Sequence, residues 1–273
     1  MGSVAAFVLV WVRTSTLVLI ARPVFGQPGV PALARLGLSA VLAWLLLPLV
    51  PIAPEAILQG LAAPGGAAAG SGLGPAWAGW AYALAREAVV GAVMAFGINT
   101  VFAAIMLAGQ LVDLPMGFSV VNVIDPTMGQ EVPLIGQFQM LLATLVFFGV
   151  NGHHEMIRAL AQSLRLVPPG AMAASGVLLD ATLDTFAQAF LLGIRLGAPV
   201  MAALFLSDVA LAVVARAVPQ LNVFVVGFPV KIVLGFVAIL LALPAFTGVL
   251  SGIFGKGGGM WEWVGRMVSG LTP

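Results

Sequence analysis

Two long stretches without a charge, separated by a segment that breaks helices yet stays apolar, constrain this chain more than any other feature. Residues 88 to 112 carry no Asp, Glu, Lys or Arg, and neither do residues 132 to 152. Each run is long enough, at about 20 residues per bilayer crossing, to span a membrane. Between them lies DLPMGFSVVNVIDPTMGQEVP. Pro115, Gly117, Pro126, Gly129 and Pro133 oppose one continuous helix. Met116, Phe118, Val120, Val121, Val123 and Ile124 make the segment too apolar for an ordinary water-facing loop. Irregular backbone cannot face acyl chains, because its amides and carbonyls would be left unpaired. The segment is therefore expected to lie within protein or to line a wet cavity, which makes it the candidate working part of a pore.

Composition places the whole chain in the same setting. Of 273 residues, 61% are hydrophobic and 8% charged, against about one quarter charged in soluble domains. The apolar runs are unalternating, so the expected fold is an all-α integral membrane protein built of helices and helical hairpins, not a β-barrel. A diffuse net charge of +1 gives no footprint for nucleic acid. The absence of cysteine excludes disulfides, thiolate metal sites and cysteine nucleophiles. The first apolar run has no basic residues before it, so it reads as a retained helix and not a cleaved signal.

Charges inside apolar runs are the next signal. Arg13 interrupts the first run. It either snorkels to the headgroups or, given its depth, finds a buried polar partner. Residues 22 to 35, with Arg22 and Arg35, form a proline-rich turn before a charge-free run from 36 to 54. Residues 54 to 75 are a Gly/Ala/Pro-rich connection. A long helical pattern covers 76 to 112, with Trp77, Trp80 and Tyr82 near its start as candidate interface anchors. Arg86 and Glu87 are adjacent on it. Adjacent residues point apart on a helix, so they are expected to take different partners. Asn151-Gly152 reads as a helix stop.

From 177 to 254 the pattern is a helical hairpin turning at 216 to 222. Asp180, Asp184, Gln188 and Arg195 share one stripe of its first helix, and Asp208 lies off it. The stripe suggests a pore-facing or subunit-facing side; alternatively, the aspartates simply mark the headgroup zone at the helix start. Gly193 with Gly197, and Gly248 with Gly252, permit close helix packing. The tail, with Lys256, Trp261, Trp263 and Arg266, reads as an interfacial anchor. A six-span threading with basic loops inside puts 22 to 35 and 216 to 231 on the same side as 109 to 131, which holds only acids. Simple up-and-down threading is therefore doubtful.

No catalytic constellation stands out. There is no His-Glu-x-x-His helix, no Gly-x-Ser-x-Gly elbow and no phosphate loop. His153 and His154 point about 100° apart on a helix, so interfacial hydrogen bonding is favoured over shared metal binding. No cofactor is expected. Met106, Met116, Met128 and Met140 surround the apolar loop, where flexible thioethers could seal a passage or serve as filler.

Three stretches, taken in order, resemble the FliR family of flagellar type III export-gate subunits. They are Arg13 with RPVFGQPGVPALAR, MGFSVVNVIDPTMGQEVP with LVFFGVNGHH, and PQLNVFVVGFPVKIVLGF at 219 to 236. The resemblance implies a non-enzymatic subunit that joins FliP and FliQ in a hetero-oligomeric channel. Residues 1–175 would be FliP-like, and 176–273 a FliQ-like hairpin with a tail. A plug loop at about 110 to 126 would close the channel through Asp113, Pro115, Met116, Gly117, Phe118, Ser119, Val120, Val121, Asn122, Asp125 and Pro126. Where the family pattern leads one to expect glutamine before Met116-Gly117, this chain has Pro115. Positions expected to serve assembly or buried polar contacts are Arg13, Arg86, Glu87, Asn151, His153, His154, Asp184, Arg195, Pro219, Gln220 and Lys231. FlhB, FlhA, membrane lipid and unfolded flagellar export substrates are the implied partners, in the bacterial cytoplasmic (inner) membrane of the flagellar basal body. Alternatives are an injectisome gate subunit, a small-solute transporter and, more remotely, an intramembrane enzyme.

Overall fold

The computed structural model describes residues 2–25, 30–49, 76–118, 133–173, 175–218, 220 and 222–272. Among these there is no strand, and the fold is all-α. The helices are α1 (Gly2–Ile20), α2 (Arg22–Phe25), α3 (Ala32–Leu46, followed by a 3-10 turn at Leu47–Leu49), α4 (Ala76–Met116), α5 (Leu134–Gly149), α6 (Gly152–Leu166), α7 (Gly176–Ala217), α8 (Val223–Phe254) and α9 (Gly259–Ser269). Three are long and apolar enough to cross a membrane, or four if α5 and α6, broken at Asn151, count as one span. Among the described residues, α1 and α3 are also apolar but shorter. The connection at 54 to 75 lies outside the described residues.

The chain forms two compact units that interleave along the sequence. Unit 1 comprises residues 1–100, 151–185 and 255–273, and unit 2 comprises 101–150 and 186–254.

In unit 1, α1 and α3 pair closely. Phe7 stacks with Trp11 and meets Trp44 edge-on, and the Trp11 indole N–H donates to Ser39 Oγ at 3.1 Å. Gly91 of α4 faces α1; a Cβ there would lie 2.4 Å from the Arg13 carbonyl oxygen, so glycine is required by the approach of two backbones. The tail forms α9, which packs on α6 and buries Met260, Val264, Met267 and Val268, leaving Lys256 and Arg266 exposed.

In unit 2, α5 packs on α8. Phe102, Phe147 and Phe254 form an aromatic cluster with ring centroids 5.3 to 6.0 Å apart. Of the two small-residue pairs, Gly193 and Gly197 sit against Ala104 and Leu107, and Ala108, of α4, whereas a Cβ at Gly248 or Gly252 would meet nothing within 4 Å.

Candidate functional site

Two polar constellations stand out, one in each unit. In unit 1, Arg13 and Glu87 are completely buried and form an ion pair, Nε to Oε2, at 2.6 Å. Arg13 Nη1 donates to the Ser163 carbonyl at 3.0 Å and to Ser163 Oγ at 3.3 Å, and Nη2 donates to the Val167 carbonyl at 2.9 Å. These carbonyls belong to the C-terminal end of α6, where the macrodipole favours a cation; the Ser163 carbonyl accepts the Val167 N–H as well, at 2.9 Å. Glu87 Oε1 accepts the Gly170 N–H at 2.8 Å, and the neighbouring Arg86 donates to the Gly170 carbonyl at 3.0 Å. Gly170 adopts φ +82 behind Pro168-Pro169, a turn with the Ala171 N–H bonded to the Pro168 carbonyl at 2.9 Å. The adjacent charges of α4 thus divide their work: Glu87 neutralises Arg13, while Arg86 fixes the turn and lies 5.0 Å over the Tyr82 ring.

This junction ties α1, α4 and the end of α6 together with every guanidinium nitrogen of Arg13 bonded. Removing either charge would strand the other in a low-dielectric interior. Its chemistry is that of a lock: nothing nucleophilic in it is accessible.

Asn151 stands in the left-handed region (φ 59) between α5 and α6, which is how its side chain permits the break. His153 is half-buried and His154 exposed, their rings 4.2 Å apart, and Glu155 pairs with Arg158. Among the described residues no group of three or more His, Cys, Asp or Glu could hold a metal.

In unit 2 the base of the apolar loop is built around Asp113. The α4 helix continues through Pro115 to Met116, so the irregular segment begins at Gly117, later than the prolines and a loop start near 110 suggest. Proline is tolerated in this last turn because the carbonyl it leaves free is close to the helix end. Asp113 is nearly buried and caps α5: Oδ1 accepts the Ile135 N–H at 3.0 Å and Oδ2 the Gly136 N–H at 3.3 Å. Pro133, the residue before α5, makes no side-chain cap of its own, and the carboxylate supplies what is missing. Met116 is fully buried with Val112, Ile135, Val200, Leu204 and Ile239. Gly117 turns at φ +89 against the Phe228 ring, and Phe118 meets Phe236 edge-on at 6.3 Å. Both feet of the loop are thus fixed. Ser119, Val120, Val121, Asn122, Asp125 and Pro126 lie outside the described residues.

The polar stripe of α7 is not one site. In unit 1, Asp184 pairs with Arg266 of α9 at 2.7 Å, and both are half-exposed. In unit 2, Arg195 is exposed and, among the described residues, has no partner. Lys231 of α8 pairs with Asp208, set aside above as lying off the stripe. The signal was present: the two lie at nearly equal distances from the 216–222 turn and carry opposite charge. Gln220 is exposed, and Pro219 is outside the described residues. Ser163 and Gly170 were not singled out by sequence; a carbonyl acceptor and a turn glycine carry no charge to notice.

Long apolar helices, a sealed ion-pair lock and a helix-capped apolar loop define an all-α integral membrane protein. Comparison with known proteins is specific. Residues 4–257 match the family described as "Bacterial export proteins, family 1". The chain is 33% identical over 254 residues to the flagellar biosynthetic protein FliR of Bacillus subtilis, covering 91% of this chain and 90% of that protein. It is 25% identical to that of Escherichia coli over 247 residues, 90% and 88% of the two chains. It is also 27% identical to the Yop proteins translocation protein T of Yersinia pestis, over 54% of this chain and 58% of that one. The chain belongs to the bacterial export protein family that includes FliR.

Proposed function

We propose that this chain is a core, non-enzymatic subunit of the flagellar type III export gate in the bacterial cytoplasmic membrane. With FliP and FliQ it forms the channel for unfolded flagellar proteins, next to FlhB and FlhA. The observation that carries this reading is the family match across 4–257, which includes the apolar loop and the motifs around it. Similarity to FliR proteins over nine-tenths of the chain favours the flagellar over the injectisome reading, for which the Yersinia relative covers about half.

Residues 113 to 126 act as the plug in this reading, anchored at its start by Asp113 and Met116. The Asp113 cap on α5 and the buried Met116 support this, because they hold the residues that flank the segment. The N-terminal part, to about 175, is FliP-like and the remainder a FliQ-like hairpin.

The test is replacement of residues 119–126 by a short Gly/Ser linker in cells that overproduce the whole gate. Raised ion leak with a stably inserted chain is expected. Unchanged leak removes the plug role. Deletion of the whole chain should abolish export of flagellar proteins, and export that persists would remove the gate reading itself.

A further inference from the structure

The groove between α6 and α9, both in unit 1, serves neither the Arg13 lock nor the apolar loop. It encloses a cavity of about 160 Å³, roughly five times one water's share of liquid volume. That is room for one small group and not for a large ligand. The groove is open because Ala159 and Gly265 put no bulk into it; a Cβ on Gly265 would meet nothing within 4 Å.

The lining carries a specific chemistry. Glu155 is recessed, its side chain 14% exposed, while its ion-pair partner Arg158 is 63% exposed at the mouth. Trp261, half-buried, stands on the α9 side. A recessed carboxylate and an indole on one small cavity suit a cation, which the acid pairs with and the ring face attracts. Glu155 is the one carboxylate in the lining, too few oxygens for a hard metal ion. An organic ammonium is the cation that fits. Arg158 at the mouth adds a place for an anion directly beside it, so the set suits a zwitterion with its positive end inward.

Position along the chain sets the depth. Residues 132 to 152 and 232 to 255 carry no charge. The second run is 24 residues, about 36 Å of helix, against a hydrocarbon core of about 30 Å. Glu155 and Arg158 follow the first run within two turns, and Gly257 and Trp261 follow the second. Both walls therefore begin where acyl chains give way to headgroups, a zone about 5–7 Å deep on each side of the core.

We propose that the α6–α9 groove binds the headgroup of a zwitterionic phospholipid that carries a primary amine. The ammonium enters against Glu155 and the Trp261 ring, and the phosphate stays outside on Arg158. A lipid held there pins both helices at the level of the headgroups. The site requires only that the chain lies in a bilayer and is independent of the export-gate reading.

The test reconstitutes the full-length protein in nanodiscs holding equal amounts of phosphatidylethanolamine and phosphatidylglycerol, which share the phosphate and differ in the ammonium. Native mass spectrometry reads the lipid retained when the protein is released. The exposed bases Arg165, Lys256 and Arg266 by themselves favour the anionic lipid, so an excess of phosphatidylethanolamine reads the cavity and not the surface charge. The expected excess is about threefold, the scale of one cation–π contact with one partly exposed ion pair. Glu155→Gln, which keeps the shape of the side chain, and Gly265→Leu, which fills the groove, should each bring it back to parity or below. Unfolding midpoints in lipid-free detergent should match the parent for both. Parity in the parent protein, or an excess that either variant leaves intact, overturns the site. A photoreactive side chain at Gln162, on the rim, separates lipid from polypeptide in native membranes. An adduct with an amine-bearing phospholipid is expected, and an adduct with protein alone, or none, overturns the lipid assignment.

Discussion

Arg13 and Arg195 are both single arginines set in apolar helices, and the molecule treats them in opposite ways. In unit 1, Arg13 is sealed, with a carboxylate, a hydroxyl and two carbonyls around it. In unit 2, Arg195 is left exposed on a face rich in uncovered Phe and Leu. The membrane-length helices also differ: the most apolar stretch of α4, a helix that runs through both units, is 61% buried inside the chain, while that of α7, which also runs through both, is 17% buried. The comparison teaches that depth in an apolar run does not by itself decide an arginine's fate: what decides it is whether other elements bring a carboxylate and free carbonyls to it.

The largest expected effect tests the completeness of unit 1. Glu87→Ala should destabilise by about 3–5 kcal/mol, the cost of leaving one member of a buried pair alone. Little intact chain should then accumulate in membranes, measured by quantitative immunoblot with protease protection. The double replacement Arg13→Met with Glu87→Met should recover most of the loss; if it does not, the contacts to Ser163 and Val167 carry more than the ion pair does.

Next in size is Gly109→Ala. Its Cβ would fall 2.2 Å from Gly136 Cα, a backbone that cannot move aside, so about 1–3 kcal/mol should be lost through overpacking. Gly248→Ala provides the contrast, because nothing of this chain lies within 4 Å of its added Cβ. Thermal unfolding of the detergent-solubilised lone chain should not register it, and any reduction in complex yield would point to a partner at that face.

Asp113→Ala should cost about 1 kcal/mol, as for loss of an N-terminal cap. Hydrogen exchange at Ile135 and Gly136 should quicken while Gln137, bonded to the Pro133 carbonyl, changes less. Equal acceleration at all three would mean the helix end is held by something other than the carboxylate. Smallest is Arg266→Ala: its pair with Asp184 is half-exposed, and such pairs contribute about 0–1 kcal/mol. A midpoint shift of more than a few degrees in thermal unfolding would show that α9 depends on it.

Helix type and position were legible because charge-free runs can do little else. The 76–112 pattern, the 216–222 turn and the stop at Asn151 all follow from composition and known backbone preferences. Two matters were not legible. Proline near a helix end looks like proline in a loop, so the helical turn through Pro115 was hidden until Asp113 was seen capping the next helix. Ion pairing across distant elements was also hidden: Arg13 shows that it needs a partner, but nothing in the sequence selects Glu87, 74 residues away, over other acids. The interleaving of the units has the same origin, since contacts between distant segments leave no local period.

The account stands on unit 2 being covered by other polypeptides in the membrane. Native mass spectrometry of the tagged chain, extracted from its own host in mild detergent, reads this directly. A hetero-oligomer with other membrane proteins, holding together until the detergent is made harsher, is predicted. A stable lone chain that carries only lipid and still supports export would contradict it.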